Sequence, residues 1–364
     1  MKISIFKRLI TVYKILGKIF KKRISPLVLF FLISILRIII FFFRIFDQIF
    51  FPHLSKTKIN NPIIIVGNPR SGTTFLQRFL VNNRFGKGTE LWQMIYPSII
   101  LQKIIKPFLP LLEIISPAKH HSTDAHKTSL SSVETDDVGM LFRFFDGFFL
   151  YGFFLSWSED DLFSWVDPKI RDNSIRDFNW LESIWKRIIV SSNEQRIVAK
   201  LFSVSANAPK FIARYPDAKI LYIVRDPLSV IPSGLSLVTG VLDKKFGFWN
   251  KSDLDKNHFL SNLYKGLVQL LLRFEEDWSN GNIDRSNVMI IKFDHLMNDF
   301  DKLMLDIINF VDFEITDKLR TIIKNTSDEQ KSYISKHKYD LAKFGLSEKK
   351  IKEDCKAYYE TFID

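Results

Sequence analysis

The run Gly67-Asn68-Pro69-Arg70-Ser71-Gly72-Thr73-Thr74 combines residues that can hold an anion. Glycines at its two ends let backbone approach a charged group closely. Successive amide N–H groups can point inward, and the N-terminus of a following helix adds about half a positive charge. Thr73 and Thr74 add hydroxyl donors, and Arg70 adds a planar, multi-donor cation inside the loop. The Gly67-x4-Gly72 spacing matches that of a nucleotide-triphosphate loop, but Thr73 stands where such a loop carries lysine. No persuasive strand ending in a magnesium-binding Asp accompanies it. The chemistry implied is capture of a phosphate-like group without a bound metal. A glycine-containing turn that binds nothing is the plain alternative.

A second set of residues lies downstream. Tyr215-Pro216-Asp217-Ala218 reads as a turn, followed by the apolar run Ile220–Val224 and then Arg225-Asp226-Pro227. Proline suits the first turn of a helix, and an Asp before it suits the cap. Ser233 follows Arg225 by eight positions, which places it on that helix. Alone, this is a capped helix with a surface arginine. After the first loop, it offers a second anion site on the same sheet.

The elements that position these groups follow from patterning. Short β-branched runs near 62–66, 196–200, 220–224 and 288–293 read as buried parallel strands. Helical patterns over 258–278, 298–310 and Ser347–Phe362 would cover them. The expected fold is α/β: a three-layer, P-loop-like parallel sheet flanked by helices, with a hydrophobic helix at the N-terminus. Active groups at the C-terminal ends of the strands fit that class.

IIIVGNPRSGTTFL resembles the 5′-phosphosulfate loop of the sulfotransferase family, in the membrane-linked and bacterial-type branch that carries Arg rather than Lys there. The resemblance spans roughly residues 60–364. It implies that Arg70, Ser71, Gly72, Thr73 and Thr74 hold the 5′ end of 3′-phosphoadenylyl sulfate, and that Arg225 and Ser233 hold its 3′-phosphate. Lys292–Leu296 and the late segment Lys336–Leu346 also resemble family segments. The Gly-x-x-Gly-x-x-Lys loop of the cytosolic branch is not seen. The activity implied is transfer of a sulfuryl group to an acceptor hydroxyl without a metal; the resemblance does not choose among acceptors, and a lipid or carbohydrate is expected ahead of a protein.

Such a transfer needs a base for the hydroxyl and a cation for the departing oxygen. Glu90, in Gly88–Trp92, stands where some branches place a catalytic Glu; His126, ahead of Glu134, Asp136 and Asp137, is the other base. The acidic cluster itself could position an acceptor, although a solvated helix start explains it as well. Lys200, closing its strand, resembles a family Lys that faces the donor. Nine aromatics in the sixteen residues Phe142–Trp157 suit a greasy acceptor pocket or ordinary core packing.

The net charge of +12 in 364 residues belongs to the N-terminus. Residues 1–60 hold twelve Lys and Arg and one acid, while the remaining 304 residues are nearly neutral. That distribution leaves no nucleic-acid footprint on the main domain. It leads to a division into a basic, hydrophobic membrane-anchor segment, 1–55, and a sulfotransferase domain, 56–364. Between Ile24 and Phe43 only Arg37 is charged. That length crosses a bilayer, at a cost of about 2.5–3.5 kcal/mol for the central arginine. A single span, a basic helix lying in the interface and a plain buried core helix are all open, and the first two leave the side of the membrane open too. A single cysteine, Cys355, excludes an internal disulfide. Two further readings remain: a P-loop nucleotide kinase, which predicts Lys after Gly72 and a magnesium carboxylate, and a membrane-bound scaffold without catalysis.

Overall fold

The computed structural model describes residues 3–116, 128–332 and 340–364. The chain forms two compact units, each assembled from separated segments. The first contains Met1–Ile59, Gly88–Gln195 and Leu235–Gly266; the second contains Asn60–Lys87, Arg196–Gly234 and Leu267–Asp364.

Along the chain come α1 (Ile5–Ile19), α2 (Ile24–Phe50), β1 (Ile63–Val66), α3 (Thr73–Asn82), α4 (Leu91–Ile95), α5 (Ile99–Ile105) and α6 (Leu109–Ile115). They are followed by α7 (Val138–Phe144), α8 (Phe148–Phe153), α9 (Ser174–Ser192), β2 (Val198–Lys200), α10 (Ala208–Arg214) and β3 (Lys219–Val224). Next are α11 (Pro227–Phe246), α12 (Asp253–Ser279), β4 (Val288–Lys292), α13 (Phe293–Asn298), α14 (Phe300–Phe310) and α15 (Asp317–Ser332). The chain ends in α16 (Glu348–Asp354) and α17 (Lys356–Phe362).

The sheet lies wholly in the second unit. Its four strands run parallel in the order β2-β1-β3-β4. Ile65 pairs with Lys200 on one side of β1 and with Leu221 on the other, and Tyr222 of β3 pairs with Ile290. All four strands fall where the apolar runs place them. The β1 and β2 side chains are buried throughout, as strands covered on both faces should be, while β4 at the sheet edge is only partly covered. One face packs α3, α13, α14 and α15 through Leu76, Leu80, Leu296, Phe300 and Ile307. On the other side, Tyr222 stacks on Phe274 at 3.5 Å between ring centroids. The turn before β3 is tied to its neighbours: Asn61 N–H donates to Asp217 Oδ2 at 2.6 Å, and Asn287 Nδ2 donates to the Pro216 carbonyl at 2.9 Å. The expected final helix is two, α16 and α17, broken at Cys355.

The first unit is helical. Within α2 the residues Pro26, Phe30, Ile33, Arg37, Ile40, Arg44 and Asp47 recur at alternating four- and three-residue steps, which makes one stripe on a helix. That stripe packs against the rest of the unit. Arg37 Nη2 donates to the Phe142 carbonyl at 2.9 Å, and Arg44 Nη2 to Ser183 Oγ at 3.1 Å. Asp47 is fully buried and accepts from Arg187 Nε at 2.7 Å and from the Ile99 and Ile100 amides at 3.1 Å. The α1 helix is held by a buried ionic cluster. Asp146 meets Arg171 at 2.7 Å, Arg176 at 2.9 Å and Arg8 at 3.6 Å. Arg8 of α1 also donates to the carbonyls of Phe144 and Phe145.

Tyr151 and Trp157, from the aromatic stretch, are core residues of this unit. The Tyr151 hydroxyl donates to the Asn262 carbonyl at 2.7 Å, and Trp157 packs on Phe20, Phe248 and Phe259. The acidic cluster is buried too, which corrects the reading of a solvated helix start. Asp136 accepts from Trp185 Nε1 at 2.9 Å, Asp137 from Thr135 Oγ1 at 3.0 Å, and Glu134 from Ser132 Oγ at 2.9 Å.

Candidate functional site

The residues with anion chemistry gather at the C-terminal ends of β2, β1 and β3, all in the second unit. The loop after β1 demands glycine where the sequence supplies it. Gly67 has φ +144°, and a Cβ there would sit 2.9 Å from the Ile223 carbonyl oxygen, with no side chain able to yield. Gly72, at φ +90°, would drive a Cβ to 2.8 Å from Leu296 Cδ2. Between them Arg70 itself takes φ +80°, the left-handed region that a non-glycine residue occupies at a cost of about 1–3 kcal/mol. Strain of that kind persists where surroundings enforce it. Here the Asn68 amide donates to the Leu267 carbonyl at 2.9 Å, and the Ser71 hydroxyl donates to the Asn68 carbonyl, so the loop is pinned from within.

Helix α3 begins at Thr73 with Gly72 as its cap, so no side chain occupies the cap position. The amides of its first turn are those that an anion would meet. Lys200, the last residue of β2, is buried, and its Nζ donates to Thr74 Oγ1 at 2.8 Å on that first turn. The pairing of Lys200 with Ile65 sets this reach: a residue at the end of β2 stands level with the last residues of β1.

Arg225 follows β3 directly. Its guanidinium stacks over Phe293, 3.9 Å from the ring centroid, and Nη1 donates to the Arg70 carbonyl at 2.6 Å. Arg70 in turn donates from Nε to Ser233 Oγ at 3.0 Å. Ser233 is buried on α11, two turns after Pro227. The two motifs are therefore joined: the first loop touches both Arg225 and Ser233. Asp226 is committed elsewhere. It caps α11 by accepting from the Leu228 amide at 2.9 Å and accepts from the Tyr359 hydroxyl at 2.6 Å. Burial and that carboxylate push the Tyr359 phenol upward, which keeps it a donor.

Of the residues proposed to move a proton, Glu90 lies in the first unit, at the start of α4. Its backbone N–H donates to Gln93 Oε1 at 2.9 Å, and its carboxylate accepts from Trp92 Nε1 at 2.6 Å. His126 lies outside the described residues, as do Lys336–Tyr339. Three residues at the site had escaped attention in the sequence as contributors: Asn68 as the loop's internal pin, Phe293 as the platform for Arg225, and Tyr359 as partner of Asp226. Phe293 had a signal, since it directly follows a buried strand. Tyr359 had none.

Residues 153–317 match the sequence model of the sulfotransferase family. That stretch includes Lys200, Arg225 and Ser233, while the Gly67 loop lies ahead of it. No curated protein matches the chain. Among solved structures, sulfotransferase STF1 from Mycobacterium tuberculosis H37Rv superposes with a TM-score of 0.72 at 18% identity, covering 96% of this chain and 90% of that one. Sulfotransferase STF9 from Mycobacterium avium gives 0.65 at 14% identity, covering 87% and 80%. At these identities the likeness is one of fold.

Proposed function

We propose that this member of the sulfotransferase family takes its sulfuryl group from 3′-phosphoadenylyl sulfate and delivers it to a hydroxyl on a lipid or carbohydrate. The observation that carries the choice of donor is the join between the two motifs. Arg70 Nε meets Ser233 Oγ, and Arg225 Nη1 meets the Arg70 carbonyl. A donor with phosphates on both the 3′ and 5′ carbons of one ribose needs two anion sites side by side, as joined motifs would supply. ATP, whose phosphates form one chain, does not.

In this reading the donor brings an activated sulfuryl group on its 5′-phosphate. The amides of the Gly67–Thr74 loop and the start of α3 bind the 5′ end, with Arg70, Thr73 and Thr74 donating from their side chains and Ser71, its hydroxyl held by the Asn68 carbonyl, shaping the loop around it. Arg225 and Ser233 bind the 3′-phosphate. Phe293 keeps the Arg225 guanidinium flat, so that two of its donors face one way. Lys200, buried beside Thr74, stabilises negative charge on the oxygen that the sulfur leaves. Glu90 or His126 accepts the proton from the acceptor hydroxyl as its oxygen bonds to sulfur. Helix α2, with 27 residues and a mean hydropathy of 2.7 in its most apolar stretch, attaches the enzyme to a membrane.

The test is transfer of radioactive sulfur from labelled 3′-phosphoadenylyl sulfate, with the full chain in detergent and membrane lipids, oligosaccharides or a protein as acceptor. Label in the lipid or carbohydrate fraction supports the proposal. Label confined to protein contradicts the acceptor, and no transfer to any class, with Arg225→Ala indistinguishable from the parent, contradicts the reaction.

A further inference from the structure

The N-terminal helix has two faces with different tasks. The stripe from Pro26 to Asp47 is spent on the first unit, and it takes every ionisable residue within the helix with it: Arg37, Arg44 and Asp47. The face turned away is mostly apolar; its Ser34 hydroxyl donates to the Phe30 carbonyl at 2.7 Å and so stays satisfied within the helix. Leu27, Phe31, Ile38, Phe42, Ile45 and Ile49 are all exposed, Phe31 to 65%. A helix docked along its length on a folded unit cannot cross a bilayer alone, because the unit would have to enter with it.

A second apolar strip lies beside it. Asp47 accepts from the Ile99 and Ile100 amides, which fixes the start of α5 against α2. From there the chain runs helically to Ile115. Ile105, Leu109 and Leu112 pack inward, while Ile104, Phe108, Leu111 and Ile114 are exposed, at 50–67%. Their spacing is that of one helical stripe.

The charges around these strips identify what covers them. Lys21, Lys22 and Arg23 precede α2, Lys56 and Lys58 follow it, and Lys103 and Lys106 flank the second strip; all are exposed. A second copy of this chain would bring like charges together. Anionic lipid headgroups complement a basic fringe at both ends, and at about 40 Å the helix then lies along the surface at headgroup depth.

We propose that the first unit seats on one leaflet of an anionic membrane, with α2 in the membrane plane and the Ile104–Ile114 strip as a second point of insertion. This rests on the reading of α2 as the membrane attachment and specifies its geometry. It makes the enzyme monotopic, with both ends of α2 on the same side.

Cysteine labelling separates the alternatives. The native Cys355 is buried and its thiol is pushed up to about 12 by burial, so it stays silent. Lys22→Cys and Lys56→Cys variants of the full chain, bound to sealed vesicles of phosphatidylcholine with phosphatidylglycerol, are treated with an impermeant maleimide from outside. Equal labelling of both sites supports the flat seating. Labelling of one, with the other reached only after detergent, overturns it and leaves membrane attachment intact. Failure to sediment with vesicles of any composition overturns both. In the same assay, Phe108→Glu with Leu111→Glu is expected to weaken sedimentation about tenfold; unchanged sedimentation removes the second strip from the proposal. Donor binding in detergent, measured on the same variants, confirms that they are folded.

Discussion

Arg70 Nε lies 3.0 Å from Ser233 Oγ, although 163 residues separate the two in sequence. This bond joins the loop after β1 to the second turn of α11, so the two halves of the proposed donor site are mechanically connected. Arg225, donating to the Arg70 carbonyl, closes the connection.

Arg225→Ala removes a charged donor and the stack on Phe293. Hydrogen bonds to charged groups contribute about 1.5–3 kcal/mol, so affinity for 3′,5′-adenosine bisphosphate should fall about 10- to 100-fold by calorimetry. Ser233→Ala should cost less, because a neutral donor is lost. The double variant should lose less than the sum, because both groups act on one phosphate.

Lys200→Ala is expected to act on the chemical step. Its ammonium sits against the first turn of α3, where charge grows as the sulfur departs. The turnover number should fall by about 10²- to 10³-fold, while bisphosphate affinity changes far less. An equal loss in both would make Lys200 a binding residue only.

Gly67→Ala should destabilise the fold and, because it strains the loop whose amides are proposed to bind the 5′ end, weaken bisphosphate binding with it. The added Cβ meets the Ile223 carbonyl at 2.9 Å, and the backbone stays at φ +144°. The expected cost is about 1–3 kcal/mol, read as a lower Tm. Arg70→Gly should do the opposite to stability, relieving the left-handed strain at φ +80°, while weakening bisphosphate binding as Arg225→Ala does.

The ionic cluster at Asp146 gives stability a dependence on pH. Burial alone would raise this carboxyl, but the hydrogen bond from Arg171 and the charges of Arg8, Arg171 and Arg176 outweigh it and hold the group below its ordinary 3.8. A carboxyl lowered in the folded state contributes stability above its unfolded value and loses it as pH falls through the lowered one. Acid unfolding of the parent below about pH 4 should thus carry a term absent from Asp146→Asn. At neutral pH the same variant leaves buried arginines uncompensated, at an expected cost of about 3–5 kcal/mol in denaturant titration.

Much of the sheet, and the turn that carries the proposed donor residues, was legible in the sequence for a physical reason. A strand buried on both faces reads as an unbroken β-branched run, as Ile63–Val66 does. The tight turn after β1 announces itself through Gly67 and Gly72, whose positive φ and close neighbours leave no room for a side chain. What stayed hidden depends on partners far along the chain. Nothing near Arg70 indicates that its side chain turns to Ser233, and nothing near Asp136 indicates that Trp185 buries it. The inward stripe of α2 was masked because both faces of the helix are apolar. Its three ionisable residues mark that stripe, but alone they read as a cost to crossing rather than as contacts with Phe142, Ser183 and Arg187.

The most direct test of the donor assignment is calorimetry of the full chain in detergent with 3′,5′-adenosine bisphosphate in the absence of magnesium, set beside ATP with magnesium. Tight binding of the bisphosphate and weak binding of ATP is the expected result. Preference for magnesium-ATP would contradict it and return the loop to a nucleotide kinase.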